Sequence, residues 1–265
     1  ELRARVIDAP VVSFEGAEFK QLRDAAKAAR VTLNDWMLRD VFLALDRWNV
    51  RYEPARKNPL LRLMIPFSLR VEGDEATPAA NIVGMVHLDR WMRIYRNPRW
   101  LLTSLAWEMR FLKFFRFALS NVRICQVFTA IPGMLVFMIW YTQRCMATGA
   151  LSNMGILFTE ARLPRQDGKL VAGKLVLERV ESAPPVRYLS PISITTLTYG
   201  GRLSLVLNYD KYHLRAEDAA ALRATATAEL SYRNSASLAR LFRRIRAKLG
   251  TFTNLFIAWF VTQVA

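Results

Sequence analysis

The chain has 265 residues, enough for one large domain or two small ones, so a core needs no disulfide or metal staple. Its residues are 52% hydrophobic and 23% charged, proportions that argue against a disordered chain and against a bundle of membrane spans. Lys and Arg number 38 against 22 Asp and Glu, and the resulting 38 − 22 = +16 favours an anionic partner: a nucleic acid, an acidic membrane surface, or a phosphate-bearing carrier or coenzyme.

Cys125 and Cys145 lie in an apolar segment without CxxC spacing and read as buried thiols. His87 and His213 are the only histidines, so no metal site is expected. The sequence begins at Glu1 without Met or leader, which suggests a piece of a longer protein.

In chain order, Val11 to Phe14 predicts a short strand, and Phe19, Leu22, Ala25 and Ala26 predict a helix over 15–29. Thr32, with Asp35 three residues on, has the form of a capping box. It opens a helix running to Asn49, apolar over a wide arc and therefore buried. Leu61 to Leu69 and Ile82 to Leu88 predict two strands, and Pro98 sits in the first turn of a long helix through Leu119. The aromatic run Trp100, Trp107, Phe111, Phe114, Phe115 and Phe117 reads as core and lobe packing.

Ile124 to Gln143 is uncharged and long enough for one membrane span. The Pro132-Gly133 pair and the polar Gln126, Thr129 and Thr142 instead favour a buried or membrane-leaning helical hairpin. Strands follow at Leu151 to Thr159, Leu170 to Arg179, Ile192 to Thr198 and Leu203 to Tyr209, the last two joined by a tight turn at Gly200-Gly201. Ala216 to Leu230 predicts a helix with Glu217 and Asp218 at its positive end. The expected fold class is α/β: a mixed sheet covered by helices over 1–233, with a basic and then apolar amphipathic tail over 234–265 suited to an anionic membrane or a partner.

Four segments then carry a resemblance: Thr32-Leu33-Asn34-Asp35 before a helix, Met64-Ile65-Pro66-Phe67-Ser68-Leu69-Arg70, Leu151-Ser152-Asn153-Met154-Gly155, and Leu197-Thr198-Tyr199-Gly200-Gly201-Arg202-Leu203 followed by Asn208-Tyr209-Asp210. In this order they resemble the C-terminal half of the condensation-domain and wax-ester-synthase superfamily, over most of the chain. The resemblance implies one lobe of a chloramphenicol acetyltransferase-like fold, in a protein that moves an acyl group from a thioester to an alcohol or amine. The thioester is carried by coenzyme A or by the phosphopantetheine arm of a carrier protein, a donor substrate and not a tightly held cofactor. The family's His-His-x-x-x-Asp-Gly signature is absent from this sequence, so the resemblance puts the catalytic histidine in an N-terminal lobe outside it and leaves this chain alone inactive. His87 precedes Leu88-Asp89, the wrong spacing, and His213 reads as a surface residue.

On this resemblance Ser152 lines the catalytic tunnel and donates to the developing oxyanion, while Asn34, Asp35 and Asn153 are substrate-side residues. The same residues have structural readings: Asn34 and Asp35 as helix caps, Ser152 and Asn153 as a strand end, and Gly200 and Gly201 as turn residues. Expected partners are acyl-coenzyme A or an acyl carrier protein, the N-terminal lobe, and a peripheral membrane contact, in a cytoplasmic or membrane-associated protein. A non-catalytic module that binds a carrier or a membrane is the alternative. Nucleic acid is not expected, because the sequence lacks zinc-finger spacing, RNP-like aromatics and a helix-turn-helix.

Overall fold

The structure is a computed structural model that describes residues 7–52, 60–71, 82–91, 97–115, 147–183, 192–211 and 215–232, together with scattered positions between 117 and 137. The expectations for Cys125, Cys145, His213, the 234–265 tail and most of the 124–143 segment lie outside these residues.

Ten strands and four helices are described. They are β1 (Ile7–Asp8), β2 (Val11–Phe14), α1 (Gly16–Ala28), α2 (Leu33–Tyr52), β3 (Leu60–Ser68), β4 (Val83–Trp91), α3 (Pro98–Phe114), β5 (Gly149–Ile156), β6 (Arg165–Gln166), β7 (Lys169–Ala172), β8 (Leu175–Val176), β9 (Ile192–Tyr199), β10 (Arg202–Asp210) and α4 (Ala216–Tyr232). Seven strands form one mixed sheet in the order β1-β10-β9-β5-β3-β4, with β2 also on β10. The central pairs β3–β5 and β5–β9 are parallel and the outer ones antiparallel. The expected α/β class and mixed sheet are therefore observed.

One face of the sheet carries Leu61, Leu63, Ile65, Leu88, Leu151, Ile194, Leu205 and Leu207, all buried in a single core with the helices. Strand alternation puts these residues on a common side, and α2 covers them, packing in turn against α3 and α4. α2 is apolar over most of its circumference, with Trp36, Met37, Leu38, Val41, Phe42 and Leu45 buried. Its start is the expected capping box: the Asp35 amide donates to Thr32 Oγ1 at 3.1 Å and the Thr32 amide donates to Asp35 Oδ2 at 3.0 Å. At the start of α3, Asn97 Oδ1 accepts from the Arg99 and Trp100 amides, ahead of Pro98 in the first turn.

Two expectations are corrected. Leu170 to Arg179 is not one strand. Gly173 adopts φ +61 and folds the segment back, so β6, β7 and β8 make a separate three-stranded sheet. α3 also ends at Phe114, short of Leu119, and among the described residues its aromatic run is not core, a correction that concerns core packing and not packing against another lobe. Trp100, Trp107 and Phe114 are 70%, 57% and 81% exposed, because Leu101, Leu102, Leu105 and Met109 supply the buried face instead. No helix among the described residues is long and apolar enough to cross a membrane.

Candidate functional site

The end of β5 carries Ser152-Asn153-Met154-Gly155, and its pairing with β9 slips between Asn153 and Ile156. This irregularity has a local cause. Gly155 takes φ +68, a conformation costly for residues with a Cβ, and its amide donates to Asn153 Oδ1 at 2.9 Å. The other end of the same amide reaches across the fold, where Asn153 Nδ2 donates to Asn34 Oδ1 at 3.2 Å. Two of the expected site residues, 119 positions apart, thus join the end of β5 to the first turn of α2.

Asp35, the next residue, is 2% exposed and spends one carboxylate oxygen on the capping box, while Oδ1 is buried without a hydrogen-bond partner. The structure gives it the geometry of a helix cap and no opening toward solvent. It fixes the turn from which Asn34 projects.

Ser152 points to the other side of the sheet from Asn153, as strand alternation requires. It is half-buried and stands opposite Thr195 of β9. The Thr195 hydroxyl is 1% exposed and has no hydrogen-bond partner, an uncommon state for a buried donor. Thr195 is enclosed within the fold, so Ser152 is the hydroxyl of the pair able to donate to an oxygen lying over β5. Thr195 was not singled out from sequence. The available signal was hydroxyl residues at alternate positions of a strand, Ser193 and Thr195, which mark a second, polar face.

His87 is on that same face, cross-strand from Met64, whose other neighbour is Ala150 of β5. Two strand spacings separate β4 from β5, about 10 Å, so the imidazole does not reach Ser152. Its neighbour Asp89 binds Arg62 through two bonds of 2.7 and 2.6 Å. Burial holds the His87 imidazole below its ordinary basicity, Arg62 pushes the same way, and Asp89 opposes both. Because the folded-state pKa is lowered, the unfolded chain takes up the proton more readily. The stability contributed by neutral His87 is full above about pH 6.5 and declines as pH falls through that value toward the lower folded-state one. Urea melts of wild type and His87→Gln between about pH 7 and 5 should diverge, with the variant losing less stability on acidification. Parallel slopes would refute this assignment.

The epimerization domain from the third module of tyrocidine synthetase B matches at TM-score 0.55 and 11% identity, covering 84% of this chain and 47% of that one. The wax ester synthase/diacylglycerol acyltransferase from Marinobacter aquaeolei VT8 matches at TM-score 0.52 and 15% identity, over 86% of this chain and 49% of its own. The first condensation domain of the CDA synthetase gives TM-score 0.51 and 11% identity, over 84% and 44%. The fold is that of about half of a condensation domain. The condensation-like chain spans about half the length of these relatives, and the likeness at such identities is one of fold. No family model and no curated protein matches it.

Proposed function

We propose that this condensation-like chain is the acceptor-side half of an acyltransferase that moves an acyl group from a coenzyme A or carrier-protein thioester to an alcohol or amine. The observation that carries the reading is the Asn153–Asn34 hydrogen bond, which ties the Ser152-Asn153-x-Gly strand end to the Thr-Leu-Asn-Asp helix start within a condensation-type fold. Solved condensation modules of nonribosomal peptide and polyketide synthetases, and a wax ester synthase, share that fold.

In this reading a histidine outside the present sequence removes the proton from the acceptor hydroxyl or amine as it attacks the thioester carbonyl. Negative charge develops on the carbonyl oxygen, and Ser152 Oγ donates to it, with Thr195 beside it on the same face. Collapse of the tetrahedral intermediate breaks the carbon–sulfur bond, and the histidine returns the proton to the departing thiolate. Asn153 and Asn34 hold the strand end in register with the helix, and Asp35 supports them through its cap.

The absence of a His-His-x-x-x-Asp-Gly signature among these 265 residues supports a second reading, a non-catalytic module that binds an acyl carrier or a membrane. The full-length protein should transfer acyl groups from fatty acyl-coenzyme A or an acyl carrier protein to at least one member of an alcohol and amine panel, and residues 1–265 alone should not. Carrier binding without transfer from any donor would favour the binding module.

A further inference from the structure

We propose that the solvent side of α3 is a docking surface for an anionic lipid bilayer. Trp100, Trp107, Phe111 and Phe114 fall at offsets of 0, 7, 11 and 14 residues, which a 3.6-residue period brings onto one face. That face is directly opposite the buried Leu101, Leu105 and Met109. The rings support one another: Trp107 stacks on Phe111 at 5.8 Å, Phe111 meets Phe115 at 4.6 Å and Phe117 at 5.7 Å, and Phe114 meets Phe115 at 5.0 Å. Trp and Phe on a flat, water-facing helix side suit the boundary between headgroups and acyl chains, where a ring has an apolar body to bury and, in Trp, an N–H left in water.

Charge selects the occupant. Between Asn97 and Met146 the sequence has one acid, Glu108, against Arg99, Arg110, Lys113, Arg116, Arg123 and Arg144. Glu108 is also neutralised, at 2.5 Å from the Arg90 guanidinium. Arg99 and Arg110 border the aromatic face and are exposed. A second copy of the chain fits poorly, since a twofold contact would set the same bases against each other without acids between them.

The test is flotation of the full-length protein with phosphatidylcholine vesicles and with vesicles containing about one-third phosphatidylserine. Wild type should float with the anionic vesicles only. Trp107→Ser/Phe114→Ser and, separately, Arg99→Glu, all exposed in this chain, should each lower the bound fraction roughly tenfold with unchanged melting temperatures, and a fall in melting temperature of the aromatic variant would give the face to another part of the protein and overturn the proposal. Failure of the wild type to float would overturn the proposal. So would variants that float like wild type, which would assign lipid binding to another segment such as the basic tail. A wild type that is dimeric by light scattering, with monomeric stripe variants, would give this face to a second copy instead.

Discussion

Ser152→Ala should lower kcat for acyl transfer by about 100-fold in the full-length protein while leaving KM within a few-fold, because the hydroxyl meets the carbonyl oxygen most strongly once that oxygen carries charge. The position supports this effect: Ser152 is half-buried on the second face of the sheet, cross-strand from Thr195. The substitution removes little volume, so folding should be intact. Asp35→Ala is the useful contrast. It breaks the capping box and should cost about 1 kcal/mol of stability with kcat nearly unchanged in the folded fraction. Steady-state kinetics with the preferred donor, beside thermal melts of both variants, separates the two roles. A Ser152→Ala enzyme with full kcat would remove Ser152 from the chemistry while leaving the acyltransferase reading to the assay of the full-length protein.

Asp40→Asn should destabilise the fold by about 3–5 kcal/mol, the largest stability effect expected of a single isosteric change here. Arg39 and Asp40 are each 1% exposed in the middle of α2. Arg39 Nε donates to Asp40 Oδ1 at 2.7 Å, and the guanidinium carbon lies 3.8 Å from the Trp36 ring centroid. A charge taken out of water at that depth is tolerated because the opposite charge is beside it, and neutralising Asp40 removes that charge while the guanidinium stays buried. Replacing both, as in Arg39→Met/Asp40→Leu, should recover much of the loss by restoring an apolar packing unit. Urea unfolding of Arg39→Met, Asp40→Leu and the double variant closes the cycle. Additive losses would show that the pair is not coupled and that the cost arises elsewhere.

Local signals made much of this architecture legible in the sequence. Apolar periodicity marked α1 and α2, alternation marked β3, and an Ala-rich run opened by Glu217 and Asp218 marked α4. The Thr32–Asp35 spacing announced a cap that forms as read, and Gly200-Gly201, at φ +55 and +76, closes the hairpin between β9 and β10. Each depends on residues only a few positions apart, so the information is contained within the element itself. The order of four short motifs was likewise enough to suggest the condensation-type fold that the solved structures share.

Other features depended on contacts that no local pattern encodes. Asn34 and Asn153 could each be singled out, but their hydrogen bond exists only because the sheet brings β5 under the start of α2. Thr195 gained significance from strand register, which set it opposite Ser152. In α2, periodicity predicted burial but not that Arg39 and Asp40 would be buried with the rest, since an ion pair satisfies itself within the core. α3 shows the limit most clearly. Its sequence has two apolar faces, and helical period alone cannot rank them. Packing against α2 took the leucine face and left the aromatic one to water, because burial is decided by the neighbours a helix finds and not by its own hydrophobicity.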